Sequence, residues 1–286
     1  MDDLTYTLRQ LCLRNRDGSH ATQADRQRSL NLVARQLREA GFRQMRAISL
    51  KGKHVEALLQ RWQTEGLSAG TIKNRMAHLR WWAEKVGKAG ILPADNTKLG
   101  IPDRRYVTNE SKAKELGDGL DRITDPHVRM SLRLQAAFGL RREESIKFQP
   151  RYADRGDHIA IKGSWAKGGR DRTVPITTPE QRIVLDEAHR LAGLGSLIPA
   201  NKTYIQQRHL YDGQCKAAGL SNMHGLRHRY AQMRYEALTG WRSPSAGGPD
   251  AGQLAPTERN QDKYVRLMIS QELGHDRLAI VAVYLG

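Results

Sequence analysis

The sequence predicts a mainly helical α+β protein with one small β-hairpin in its second half. Apolar residues recur three and four positions apart over most of the chain, which is the period of one helix face. The exception is residues 157–176, where two alternating apolar and polar stretches flank a Gly-Gly turn. Residues 87–108 are rich in Gly and Pro and show little periodicity. We therefore predict a helical domain over residues 1–95, a linker over 96–108 and a second domain over 109–286.

Three apolar stripes predict the helices of the first domain. They begin at Leu30, Val55 and Ile72, and Ser68 precedes the third stripe as a residue type that caps helix N-termini. Cations flank the third stripe, which is typical either of a solvated helix face or of a helix that lies along DNA phosphates. The cations of this helix that we predict to contact DNA are Lys73, Arg75 and Arg80.

Gly and Pro residues mark the predicted ends of helices and strands in the second domain. Asp125 followed by Pro predicts the start of a helix that ends at Gly139, and residues 140–148 predict another. The predicted hairpin strands are 158–161 and 173–176, and helices return after them. Residues 240–257 are rich in Gly, Pro and Ser, which predicts an exposed, mobile loop.

The overall charge favours a polyanionic partner. The chain has 47 Lys and Arg against 30 Asp and Glu, a net charge of +17. Residues 1–100 carry 18 basic and 9 acidic residues, so both halves are basic. The alternative is a basic surface with no specific partner. The two cysteines are too few and too distant for a disulfide scaffold or a zinc site, and no secretory or membrane-spanning segment is evident. We expect a cytoplasmic protein that associates with no membrane.

Each polar candidate in the second half has an ordinary structural explanation when it is taken alone. Arg141 can pair with Glu144 one helical turn later, and Tyr284 in an apolar run is by default a packed aromatic. His224 and His228 are four residues apart, as in some metal sites. No Glu lies between them and no third ligand is evident, so we expect no metal.

Taken together, these side chains can cleave a phosphodiester without a metal. Two guanidiniums, those of Arg141 and Arg227, match phosphate oxygens and stay charged. The Tyr284 hydroxyl can serve as the nucleophile, and Lys167 on the hairpin turn can protonate the leaving oxygen. Histidines can move protons and hold the phosphate. The histidines available for this are His224 and His275.

Four boxes resemble the tyrosine recombinase/phage integrase family, and they follow the family's order. Residues 139–144 resemble its G-L-R-x-x-E segment, and Lys167 with the strand after it resembles its hairpin lysine. Residues 224–228 match its H-x-L-R-H box, and residues 273–275, with Tyr284 nine positions after His275, match its L-G-H…Y ending. The N-terminal helical region is more loosely similar to the family's SAM-like core-binding domain.

This resemblance implies a core-binding domain followed by a tyrosine-recombinase catalytic domain. It also implies a site-specific recombinase that cuts and rejoins double-stranded DNA through a 3′-phosphotyrosine intermediate, without a cofactor, in integration or excision. Members act as four protomers on two duplexes, and we expect a monomer without DNA. The implied roles are phosphate clamping by Arg141 and Arg227, assistance by His224 and His275, protonation of the 5′ oxygen by Lys167, attack by Tyr284 and support of Arg141 by Glu144. The hairpin arginines that we predict to contact DNA are Arg170 and Arg172.

Two other functions compete with this interpretation. A non-cleaving DNA-binding protein on the same scaffold would be expected to lack at least one of Arg141, Lys167, Arg227 or Tyr284, and all are present. A metal-dependent nuclease would need carboxylates clustered near the histidines, and the sequence shows only scattered ones.

The chain departs from the family pattern in three places. Arg229 and Tyr230 follow the H-x-L-R-H box where small or hydroxylic residues are commoner, and we expect them to add charge near the site. The 240–257 loop lengthens the interval before the last box. Only two residues follow Tyr284, where many members carry a helix that docks on a neighbouring protomer. We expect assembly to be regulated through the loop or the N-terminal segment, and the Tyr284 segment to be mobile or displaced without DNA.

Overall fold

The computed structural model describes residues 2–104, 106–166, 168–275 and 277–286. The chain divides into two compact units, Met1–Arg105 and Tyr106–Gly286. Both are mainly helical, and the described residues contain one antiparallel pair of strands. The predicted fold class is therefore confirmed.

The first unit is a helical bundle built on the predicted apolar stripes. The buried faces centre on Trp62 and Trp82, whose side chains are fully buried. Their indole N–H groups donate to Gln36 Oε1 and to the carbonyl of Ala47, so burial leaves neither donor unpaired. Ser68 caps the last helix of this unit, accepting from the Thr71 N–H. The helices are α1 Asp3–Arg14, α2 His20–Glu39, α3 Gly52–Thr64 and α4 Ala69–Lys85.

The second unit carries the hairpin and the remaining helices. Its first helix starts as predicted, with the Asp125 carboxylate accepting from Val128 N–H and Pro126 at the first helical position. It ends at Gly139, whose φ of 61° lies in the left-handed region. The helices are α5 Pro126–Phe138, α6 Arg142–Ile146, α7 Pro150–Ala153, α8 Pro179–Ala192, α9 Tyr204–Ala217, α10 Gly225–Thr239, α11 Pro256–Glu272 and α12 Leu278–Leu285.

The two strands form where the sequence alternates. Strand β1 is His158–Ile161 and β2 is Arg172–Pro175, and they pair antiparallel with Ile159 opposite Val174. Both of these side chains are fully buried and belong to the core of this unit. That core also includes the apolar side chains of α5, α8, α10, α11 and α12. Among the described residues, no helix is long and apolar enough to cross a membrane.

The predicted mobile loop at 240–257 is corrected in part. Its first half folds tightly: Pro244–Ala246 form a 3-10 turn, and the Gly248 N–H donates to the Ser243 carbonyl over 2.9 Å. Ser243 is completely buried, and Leu254 in the second half is also buried. The composition misled the prediction because Gly, Pro and Ser also build tight packed turns.

Candidate active site

Arg141 and Glu144 meet at the junction between α5 and α6. Gly139 turns the chain, and Arg141 becomes the N-cap residue of α6. Glu144 reaches back with both oxygens, accepting from the Arg141 main-chain N–H at 2.7 Å and from its Nη1 at 2.9 Å. The Glu144 side chain is fully buried, whereas that of Arg141 remains 20% exposed. The carboxylate thus holds Arg141 while leaving part of its guanidinium open to a ligand.

Arg172 makes a second, interior pair with the same carboxylate. Its two terminal nitrogens donate to the two oxygens of Glu144 at 2.9 and 2.6 Å, and its Nε donates to the main-chain oxygen of Glu272. Only 6% of the Arg172 side chain is exposed. Arg172 is thus an interior counter-ion of Glu144, a position that does not favour the predicted contact of Arg172 with DNA.

Three arginines hold Glu144 ionised. Burial alone would raise the pKa of the carboxyl group, but Arg172, Arg227 and Arg141 together lower it to about 2. Glu144 therefore stays charged at neutral pH. A buried carboxylate of this kind balances the positive charge of the site before any phosphate enters.

Arg227 ties three segments together from the first turn of α10. Its Nη1 donates to the Gly139 carbonyl at 2.5 Å, and its Nη2 donates to the carbonyl of Leu273. The same Nη2 lies 3.4 Å from His275 Nε2. The side chain is 1% exposed, and burial lowers its pKa to about 10, which leaves it charged at neutral pH. The structure therefore brings the third and fourth sequence boxes to the start of the first.

Tyr284 lies inside this cluster. Its hydroxyl is 3.4 Å from Arg227 Nε and 3.3 Å from His224 Nε2. The His228 ring packs against the tyrosine ring with centroids 4.5 Å apart, and the His275 centroid is 5.8 Å away. The phenol therefore sits among a guanidinium and three imidazoles.

The prediction that the Tyr284 segment is mobile or displaced without DNA is wrong. The segment is helix α12, and Tyr284 is only 5% exposed. Val281 and Leu285 are fully buried in the core of the unit. Burial of these apolar side chains anchors a helix that the sequence alone left with no evident partner.

The three histidines are held neutral. Burial, followed by the charges of Arg227 and Arg141, lowers the pKa of His275 to about 4. Burial and the neighbouring His224 lower the pKa of His228 to about 4. The His224 pKa is also lowered, by desolvation on its packed side and then by the two arginines, although part of its surface is exposed. A neutral imidazole beside a tyrosine hydroxyl can accept its proton.

Arg229 and Tyr230 do not add charge to the site as expected. Arg229 forms an ion pair with Glu115 at 3.0 Å, and Tyr230 is buried, with its hydroxyl donating to Glu272 Oε2 at 2.8 Å. Arg234 completes this network with a 3.1 Å bond to Glu272. The sequence did not predict this network, because a carboxylate at the end of a helix has the same sequence pattern whether it is buried or on the surface.

The other four residues predicted to contact DNA lie in different environments. Lys73 pairs with Asp103 at 2.8 Å, and Arg75 lies over the Trp62 ring at 5.2 Å. Arg80 donates to the Pro93 carbonyl and to an Asn side chain within its own unit, so its position is that of a structural tie. Arg170 is exposed beside the hairpin turn. Lys167, the predicted acid, lies outside the described residues.

A metal site is not built by the described side chains. His224 and His228 stack edge to face at 5.6 Å, and the described parts of the chain contain no group of three or more His, Cys, Asp or Glu that could hold an ion. The positive charge of the site comes instead from the guanidiniums of Arg141, Arg172 and Arg227.

Comparison with known proteins points to one family. The family model described as phage integrase, N-terminal, matches residues 1–91, and the model described as integrase matches residues 95–233. No curated protein sequence matches the chain. Matching solved structures include lambda integrase, as a dimer bound to a COC′ core site (14% identity, TM-score 0.64, covering 96% of this chain and 74% of that one) and as a tetramer bound to a Holliday junction (14%, 0.61, 98% and 76%). The XerH recombinase bound to palindromic difH substrate also matches (17%, 0.61, 99% and 81%).

These findings place the molecule among enzymes that break and rejoin DNA. The chain belongs to the tyrosine recombinase/phage integrase family.

Proposed function

We propose that this chain is a site-specific DNA recombinase that uses Tyr284 as its nucleophile and passes through a 3′-phosphotyrosine intermediate. The observation that carries the proposal is the position of the Tyr284 hydroxyl, within 3.4 Å of Arg227 Nε and 3.3 Å of His224 Nε2. A packed core tyrosine would not need to lie against a buried guanidinium and an imidazole. A nucleophile that attacks a phosphate needs both neighbours.

In the proposed reaction, Arg141 and Arg227 bind the non-bridging oxygens of the scissile phosphate. The Tyr284 oxygen attacks phosphorus, the new O–P bond forms, and the bond to the 5′ oxygen breaks with its electron pair leaving on that oxygen. The tyrosine proton passes to a neutral imidazole, for which His224 is nearest. Lys167 delivers a proton to the 5′ oxygen, a role that rests on the family resemblance.

The reverse of these steps rejoins the strand. The 5′ hydroxyl of another strand attacks the phosphotyrosine, and the tyrosine leaves with its proton restored. One phosphodiester replaces another, so no ATP is required. The guanidiniums serve both directions because the phosphate carries the same developing charge in each.

Binding of the phosphate favours proton transfer to the histidines. The positive charges of Arg141 and Arg227 contribute to the low pKa of His275 and His224 in the DNA-free molecule. A phosphate between the two guanidiniums offsets those charges, so the pKa values rise and a neutral His224 becomes a better acceptor for the tyrosine proton.

The proposed substrate is double-stranded DNA with a specific recombination site, in integration or excision of a mobile element. We propose that four protomers assemble on two duplexes, as the lambda integrase tetramer does on a Holliday junction, and that the DNA-free chain is a monomer. The proposed place of action is the cytoplasm of a prokaryotic host, beside its DNA. No observation favours a non-cleaving protein on the same scaffold.

The proposal is tested by trapping the covalent adduct. Duplexes cut from the DNA that flanks the gene are incubated with the protein in EDTA, denatured with detergent and digested with nuclease and protease. We expect one peptide that carries nucleotides, with the modified residue at Tyr284, and an unchanged yield at any EDTA concentration. A nucleotide on another residue, or a reaction that EDTA abolishes, would contradict the proposed mechanism.

A further inference from the structure

The main-chain carbonyl of Tyr284, like its hydroxyl, has two side-chain hydrogen-bond partners. It lies in the last turn of α12, where carbonyls have no partner within the helix. Two side chains donate to it: Gln232 Nε2 at 3.1 Å and Ser245 Oγ at 3.0 Å. Both donors are buried, and Gln232 Nε2 also lies 3.2 Å from Ser245 Oγ. The three groups form a closed triangle of hydrogen bonds away from water.

The two donors are themselves fixed. Gln232 accepts from the Ser111 hydroxyl at 3.0 Å, which orients its amide with the N–H group toward Tyr284. Ser245 is presented by the tight turn at 243–248. A Cβ on Gly248 would lie 1.7 Å from the Arg242 carbonyl oxygen, so the turn requires glycine there. These contacts hold both donors through residues other than Tyr284.

Helix α10 therefore holds the tyrosine at both ends. Arg227 contacts the hydroxyl and Gln232 contacts the carbonyl, and the two residues are five positions apart on one rigid helix. Helix α10 thus supports both Arg227, one of the two proposed phosphate-binding arginines, and the proposed nucleophile. A nucleophile displaced by about 1 Å can lose roughly 100-fold in rate.

We infer that Gln232 and Ser245 are positioning residues that lock Tyr284 in register with the phosphate clamp. This inference rests on the proposed role of Tyr284 as the nucleophile. The 243–248 turn is then part of the catalytic apparatus, rather than a mobile insertion. Loss of one donor leaves the other in place, whereas loss of both frees the carbonyl and loosens the end of α12.

A first experiment measures, without DNA, whether Gln232 and Ser245 restrain Tyr284. Nitration by tetranitromethane, followed by peptide mass spectrometry, reports the accessibility of each tyrosine. Tyr264, which is 64% exposed, serves as the reactive reference, and the fully buried Tyr235 serves as the protected one. In the Gln232→Met/Ser245→Ala double variant we expect nitration of Tyr284 to rise about tenfold while Tyr235 stays protected, because two hydrogen bonds are lost.

A second experiment measures the reaction. The duplex recovered as a covalent adduct with the natural protein is used for single-turnover cleavage at saturating protein. We expect a loss of about tenfold for Gln232→Met or Ser245→Ala and roughly 100-fold for the pair, with DNA affinity within threefold. Ser131→Ala is the matched control, because Ser131 is equally buried and its hydroxyl donates to the Ser145 carbonyl. The control should cleave at the natural rate.

The outcomes separate the two claims. Unchanged nitration of Tyr284 in the double variant overturns the lock. So does raised nitration with undiminished cleavage, or a fall in cleavage matched by an equal fall in DNA affinity. Nitration of Tyr235 in the double variant would show that the whole unit has loosened. In that case, nitration of Tyr284 in the single Ser245→Ala variant decides whether the donors restrain it, because that variant keeps the Gln232 bond. A Tyr284→Phe protein that still forms the adduct defeats the proposed function but leaves the nitration result standing.

Discussion

Glu144 and Arg172 form a buried, two-pronged ion pair, with nitrogen–oxygen distances of 2.9 and 2.6 Å, and the same carboxylate holds Arg141. One fully buried acid therefore sets the positions of the partly exposed Arg141 and the interior Arg172. The interior arginine continues to the Glu272 carbonyl, just before the turn that carries His275. This network connects the first and last sequence boxes.

Glu144→Gln should be among the most damaging substitutions. It leaves Arg141 and Arg172 without their counter-charge, and breaking a buried pair costs about 3–5 kcal/mol. Urea denaturation should show that loss, together with little or no DNA cleavage at low temperature. Glu187→Gln is the control, because Glu187 pairs with Arg133 but is 32% exposed, and it should cost at most about 1 kcal/mol. Equal destabilisation by the two substitutions would contradict the account.

Gly139→Ala should destabilise the second unit by more than the cost of its backbone conformation. A Cβ there would lie 2.5 Å from Tyr230 Cδ1, in addition to the strain of φ 61°. We expect a total loss of about 2–4 kcal/mol in the free energy of unfolding. Gly240→Ala is the control, since Gly240 has φ 87° but open space around it, and it should cost about 1 kcal/mol. If both variants unfold at the same urea concentration, the close contact with Tyr230 is unimportant.

The stability of the chain should fall as the pH drops from about 6.5 to about 4. His228 and His275 have pKa values of about 4 in the folded protein, against about 6.5 when unfolded. Within that window the unfolded chain binds more protons, so acid favours unfolding. Glu144 acts later: its folded pKa is about 2, so its stabilisation is present above about 4.5 and is lost below it.

The pH prediction is checked by urea denaturation at intervals between pH 7.5 and 4.5. His228→Gln removes one of the two titrating imidazoles and should flatten the decline relative to the natural protein. A His189→Gln variant is the control, because His189 is about one-third exposed and bonds Asp154 away from the site. A decline that is the same in all three proteins would show that the buried imidazoles are not its cause.

Two substitutions in helix α4 should distinguish a residue that contacts DNA from one that supports the fold. Lys73→Ala should weaken DNA binding and reduce the slope of log affinity against log salt by about 1, because one phosphate contact is lost. Arg80→Ala should instead lower the stability of the first unit by about 1–3 kcal/mol, since two acceptors lose their donor. Binding titrations at three salt concentrations and urea denaturation distinguish these results. An unchanged salt slope for Lys73→Ala would remove it from the interface.

The sequence predicted those parts of the site whose residues follow a local pattern. Arg141 and Glu144 lie one turn apart, and His224 and Arg227 share the start of one helix, so their types and spacing were readable. Gln232 and Ser245 contact Tyr284 across 52 and 39 residues and through a main-chain carbonyl, which no periodicity encodes.

The expectations for the 240–257 loop and for the Tyr284 segment failed for one physical reason. A Gly- and Ser-rich stretch and a short apolar run were each considered alone, and each lacked an evident partner. In the fold they are partners: the Ser245 hydroxyl bonds the Tyr284 carbonyl, and α12 is buried against the rest of the unit. Complementarity between two segments can be recognised only when both are placed in space.

The central claim is that Tyr284 is the nucleophile, and Tyr284→Phe tests it most directly. The substitution removes one oxygen and retains the buried ring, which is 5% exposed and packs against His228. Covalent adduct formation and DNA affinity are measured side by side on the duplex recovered with the natural protein. The account predicts no adduct at any time point, with DNA affinity within threefold of the natural value. An adduct formed by the Phe variant would contradict it.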